Sequence, residues 1–299
     1  MFGVSKLLAI VVAPALLAAL LSSGSSSPDA HRMIWASIGD GNNGVSEFMP
    51  LIDCDQTNAT HAAAACTSTA SATSSLGQHT LLWHEDGNGP STAITQPITT
   101  QAQGSFLVAF NAGFVSNNST PTDNKGNTFR PLGDPAIYRG YDGRFNVKAY
   151  FVQAAHGGSG HQVSIVKNGV PAGELTLPFI EVTNAGTNMP IVAASYPASG
   201  SVLTSASVTT TGPATLLAFW FGDGGGLQHS AVPNNGFQII ENFVDLPPNS
   251  AVQCVVAARQ VTTAGTYKVS WSNSPQQGAP LWLFAFPAGS DGVFGSGFD

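Results

Sequence analysis

Ser105-Phe106-Leu107-Val108-Ala109-Phe110 is a short, uninterrupted apolar run, and Ala214-Thr215-Leu216-Leu217-Ala218-Phe219 repeats it in outline 109 residues later. A run of this length, rich in β-branched and aromatic residues and bounded by polar turns, reads as a strand covered on both faces. The match continues outward. Ile98-Thr99-Thr100 precedes the first run as Val208-Thr209-Thr210 precedes the second. The turn Asp123-Asn124-Lys125-Gly126-Asn127 corresponds to Pro233-Asn234-Asn235-Gly236-Phe237. Gly160-His161-Gln162-Val163-Ser164-Ile165 answers to Gly265-Thr266-Tyr267-Lys268-Val269-Ser270-Trp271, and Leu175-Thr176-Leu177-Pro178-Phe179 to Leu281-Trp282-Leu283-Phe284. A period above 100 residues is too long for a solenoid and suits a duplicated small domain.

Between the matched runs the signals are those of β-structure. Phe145, Val147, Ala149 and Phe151 alternate with polar or outward neighbours, as do Tyr267, Val269 and Trp271. Period-2 alternation marks strands with one buried face. Gly, Asn and Pro clusters such as Gly157-Gly158-Ser159-Gly160 separate them, and no window holds a helical period. The expected fold is all-β, with two tandem related β-sandwich units of jelly-roll or immunoglobulin-like type. Their expected spans are 95–185 and 201–287, after a loop-rich section at 25–94 whose short apolar pieces Met33 to Ile38 and Thr80 to Trp83 add a strand or two, and before a tail at 288–299. Residues 184–199 read as the linker.

The 299 residues are 43% hydrophobic but only 9% charged, with a net charge of -7 and 10 Lys plus Arg. A nucleic-acid partner needs a basic footprint that this chain lacks, and no basic cluster offers a membrane-surface patch. Lys6 followed by the apolar run Leu7–Leu21 and then Ser22-Ser23-Gly24 reads as a signal peptide at 1–24, too short and too interrupted by Pro14 to span a bilayer. Export follows, to the periplasm, the cell surface or the medium. In that compartment Cys54 and Cys66 are expected to form a disulfide, and Cys254, alternating with Val252 and Val256, to be a buried strand thiol.

Chemistry is sparse. Gly39-Asp40-Gly41 lacks the serine of an esterase block, and no Gly-x-Ser-x-Gly elbow occurs. His156 and His161 flank a Gly-rich turn without further ligands nearby, and His161 corresponds to Tyr267 in the second copy, which fits a packing position better than a metal ligand. His84-Glu85-Asp86 reads as a solvated turn. The Asp/Asn/Gly loops carry too few acids for calcium and suit tight turns. No cofactor and no metal are expected. Trp220, just before the Gly222–Gly226 loop, is the expected exposed ring for stacking on a sugar, with Asp223, Asp123 and Asn127 as polar contacts.

The stretch Asp123-Asn124-Lys125-Gly126-Asn127-Thr128-Phe129, followed by a strand that ends in Glu181, resembles a β-sandwich module of exported bacterial proteins. That module carries an Asp-x-x-Gly-Asn turn and then an aromatic residue. Residues 291–299 resemble the Phe-x-x-Gly-Phe-acid tails of some exported Gram-negative proteins. The resemblance implies fold and export. Because turn-rich β scaffolds present loops for recognition and the sequence offers no catalytic constellation, the expected function is non-enzymatic binding or adhesion at the envelope or outside the cell, toward carbohydrate or another surface ligand. One alternative is an extracellular hydrolase using Asp123, Glu181 or Asp223, which needs two carboxyl groups facing across a cleft about 5 to 10 Å wide. A structural subunit of a surface assembly is the other.

Overall fold

The computed structural model describes residues 34–38, 47–51, 73–114, 119–137, 145–167, 173–185, 189–222 and 228–289. The expected signal peptide, the Cys54–Cys66 pair, Asp223 and residues 290–299 of the expected tail lie outside the described residues. Contacts divide the chain into a unit of residues 1–68 and a unit of residues 69–299. In the first, β1 (Ile34–Ile38) and β2 (Glu47–Leu51) pair antiparallel.

The second unit holds only strands among its described residues. Its first half contains β3 (Ser75–His84), β4 (Thr92–Ile94), β5 (Gln103–Phe114), β6 (Thr122–Asp123), β7 (Arg130–Pro131), β8 (Ala136–Ile137), β9 (Phe145–His156), β10 (Val163–Val166) and β11 (Leu175–Thr183). They form a large sheet ordered β3-β11-β5-β9-β7, with β8 also on β9, and a small sheet ordered β4-β10-β6. The second half contains β12 (Ile191–Ser195), β13 (Gly200–Thr204), β14 (Val208–Thr210), β15 (Ala214–Trp220), β16 (Ser230–Pro233), β17 (Gln238–Phe243), β18 (Cys254–Val261), β19 (Gly265–Tyr267), β20 (Ser270–Gln277) and β21 (Leu281–Pro287). Its large sheet runs β12-β21-β15-β18-β17 and its small sheet β13-β20-β16, with β14 paired to β19. Taken in chain order, each strand of the first two orders has a counterpart at the same place in the second two. Among the described residues the fold is all-β and every strand pair is antiparallel.

Alternation along the two matched runs explains how the halves stack. Leu107 and Ala109 of β5 face a core shared with Val163 and Ile165 of the small sheet. Their neighbours Phe106, Val108 and Phe110 point the other way, into a core shared with Leu217, Phe219, Phe284 and Trp282 of the second half. From β15, Leu216, Ala218 and Trp220 face a third core with Leu203, Ala231 and Trp271. The order is therefore small sheet, large sheet, large sheet, small sheet, and the apolar runs lie in the two inner layers. Phe110 has ring centroids at 4.4 Å from Phe219, 5.1 Å from Phe221 and 5.6 Å from Trp282. Each such ring removed from water contributes about 1.5–3 kcal/mol.

Two boundaries shift. The ten-residue β3 comes from the section expected to be loop-rich, and β12 from the expected linker; both are edge strands of large sheets. The apolar piece Thr80 to Trp83 is the part of β3 that the sequence shows, and polar residues such as Gln78 and His79 dilute the rest.

Candidate functional site

A cluster of polar chemistry is built by the turn after β6. Asp123 Oδ1 accepts the backbone N–H of Lys125 at 3.1 Å and of Asn127 at 2.9 Å. Gly126, at φ +78°, closes the turn in the left-handed region that glycine occupies without strain. Asn127 then reaches across to the end of β9: its Nδ2 donates to His156 O at 2.8 Å, and its Oδ1 accepts His156 N–H at 2.9 Å. Phe129 packs into the core beside the small sheet. The Asp-x-x-Gly-Asn-x-Phe pattern is thus a folding device, in which every named position has a structural task.

Pairing of β6 with β10 sets Asp123 opposite Val163 and brings His161 within reach. Asp123 Oδ2 accepts from His161 Nε2 at 3.0 Å and from Asn127 Nδ2 at 2.6 Å. The His161 and Asp123 side chains are both fully buried. Burial alone would raise the Asp123 pKa, but the hydrogen bonds from His161, from the Asn127 side chain and from the backbone of Asn127 and Lys125 outweigh it and hold the pKa at about 2. With Asp123 ionised, Nε2 of His161 carries the proton; in the neutral ring Nδ1 accepts the hydroxyl of Thr100 at 2.8 Å. Thr100 Oγ1 in turn accepts Gly158 N–H at 3.3 Å. The chain Asp123–His161–Thr100 is a satisfied interior relay.

The second half lacks it. Pro233 stands for Asp123 and Tyr267 for His161, and Tyr267 donates its hydroxyl to Thr263 O at 2.7 Å. Thr210, the counterpart of Thr100, keeps a buried hydroxyl without a partner. Joint loss of Asp and His in one copy was the sequence signal that the two belong together.

Glu181 is also interior, 2% exposed. Its carboxylate accepts Gln101 N–H at 2.7 Å, Gln78 N–H at 3.2 Å and the Ser105 hydroxyl. It fastens β3 and β5 to β11 at the irregular register beside Ile180 and Val182. Asp123 and Glu181 therefore spend their oxygens on the fold. Trp220, expected to be exposed, is fully buried in the third core. As an even-numbered residue of the central strand β15 it points between the large and small sheets, with Leu216 and Ala218, so it presents no face to a ligand. His84 ends β3, and burial and then the Lys167 charge push its pKa down. Cys254 is a free, buried thiol, as its alternation implied, and burial followed by the charge of Glu241 pushes its pKa well up. No group of three or more His, Cys, Asp or Glu side chains is placed to hold a metal among the described residues.

Two accessible features escaped the sequence reading. Trp83, 40% exposed, stacks on Phe243 with centroids 4.3 Å apart and rings 10° from parallel. A cleft of about 460 Å³ opens between residues Gly133 to Ala136 of the first half and Val192 to Tyr196 of the second, with Trp282 also lining it. Asp134, Ser195 and Tyr196 are its polar groups. Neither feature has a local pattern, because each joins residues far apart in sequence. No family model matches the chain, and no curated protein or solved structure is significantly similar to it.

Proposed function

We propose that this chain is a non-catalytic recognition protein, exported to the envelope or the extracellular space, that holds a surface ligand in the cleft between its halves. The observation that carries this reading is where the polar chemistry is spent. Asp123 and Glu181, the two of the three hydrolase candidates that lie among the described residues, are interior acceptors saturated by main-chain and side-chain donors. The cleft, by contrast, combines apolar walls with one carboxylate, Asp134, and the Tyr196 ring, the mixture of shape and a few polar groups that orients a ligand. Low charge and a surface of neutral polar residues suit export. The expected partners are carbohydrate or protein at a cell surface.

The test is saturable binding of the mature protein to glycan and protein arrays, with Tyr196→Ala as the cleft variant and mass spectrometry of the bound ligand. The reading predicts binding weakened by the substitution and a ligand recovered intact. A ligand recovered shortened or otherwise converted refutes it.

A further inference from the structure

An open β-edge carries N–H and C=O groups that need partners, and folded proteins guard such edges with charges, prolines, bulges or brevity. The two large sheets have edges at β3, at β7 with the two-residue β8, at β12 and at β17. The β3 edge carries His79 and an irregular register against β11. The β7 edge is two residues long, Arg130 and Pro131. The β17 edge carries Glu241 and a register shift between Ile239 and Glu241. The β12 edge has none of these: Ile191-Val192-Ala193-Ala194-Ser195 pairs with β21 without a break, holds no charge and no proline, and has no second strand partner among the described residues. Ile191 is 37% exposed and Met189, just before it, 49%.

This unguarded edge borders the cleft. Val192 and Ala194 line it together with Gly133 to Pro135, from the connection between β7 and β8, and Ala136 of β8. A sixth strand added beside β12 would extend that sheet, and every second side chain would stand over the cleft. We propose, resting on the recognition reading above, that the ligand is an extended polypeptide segment that pairs with the outer edge of β12 and sets an apolar side chain into the cleft. A row of alternating donors and acceptors at peptide spacing is matched by another peptide backbone, and a sugar has no such repeat. A folded second copy fits less well. Pro190 and Pro197 limit pairing to the residues between them, and so short a ladder falls well below the roughly 800 Å² per partner that a stable interface buries. Walls that are apolar but for Asp134, Ser195 and Tyr196 select an apolar segment, with Asp134 as an acceptor for a backbone or hydroxyl donor.

The experiment uses the full chain, an array of synthetic random ten-residue peptides and hydrogen-exchange mass spectrometry. Ala194→Lys and Ala194→Glu place a charge on an exposed position of the edge, and thermal unfolding checks that each variant folds. Expected are peptides with alternating apolar residues, slowed amide exchange confined to 191–195 on addition of the best of them, and roughly tenfold or greater weakening in both variants. Peptides bound equally by the variants, or protection elsewhere, overturn the proposal. So does a concentration-dependent dimer that Ala194→Lys makes monomeric, which would give the edge to a second copy. A blank peptide array with retained glycan binding refutes strand addition while the recognition reading stands; cleavage of the peptide refutes both.

Discussion

Replacing Asp123 by Asn exchanges one carboxylate oxygen for an amide NH2 at a place where four donors converge. Two of them, His161 Nε2 and Asn127 Nδ2, share Oδ2, so an NH2 there meets donors whichever way it turns. In the folded protein the Asp123 pKa is about 2 against an ordinary 3.8. At about 1.36 kcal/mol per unit this amounts to about 2 kcal/mol of stability held by the ionised form. Because the folded pKa is the lower one, that stability is complete above the unfolded value and is lost as pH falls through the folded one. Equilibrium urea unfolding of the wild type and the variant should show a gap of about 2–3 kcal/mol at pH 7. The gap should narrow steadily between about pH 5 and pH 1. A gap below about 0.5 kcal/mol at pH 7, typical of a surface change, refutes the relay as an energetic unit. So does a gap that does not change with pH.

The two halves supply a built-in control for the next link of the relay. Thr100→Val should cost about 1–2 kcal/mol in urea unfolding, because it takes a hydroxyl from His161 Nδ1, whereas Thr210→Val removes a hydroxyl that has no partner and should be neutral or stabilising. Gly77→Ala would put a Cβ 2.5 Å from Glu181 Oε2, so a loss above about 2 kcal/mol is expected by thermal unfolding. Cys254 should not react with a thiol reagent at pH 8 in the folded protein and should react once urea unfolds it, since burial holds the thiol protonated and covered.

What the amino-acid sequence discloses depends on how local the cause is. The continuous runs of β5 and β15 mark strands buried on both faces, and the structure places each between two cores. The Asp123–Asn127 turn was legible because its hydrogen bonds close within five residues. Its link to His161 was not, because that depends on the β6–β10 register, although the paired change to Pro233 and Tyr267 hinted at it. Trp220 was misplaced for a different reason. A strand end beside a Gly-rich loop suggests exposure, but its parity on a central strand assigns the ring to the interior. The cleft and the β12 edge, without a second strand partner among the described residues, emerge only when two distant segments and a sheet order are known together.

The two halves are joined by the core that their large sheets share, with Phe110 of the first half locked among Phe219, Phe221 and Trp282 of the second. Native-state hydrogen exchange under increasing urea measures this directly. The account predicts that the amides of β5 and β15 open together, at the same free energy, and that Phe110→Ala lowers both by about 3–5 kcal/mol. Opening of one strand well before the other, or a loss confined to β5, would contradict it.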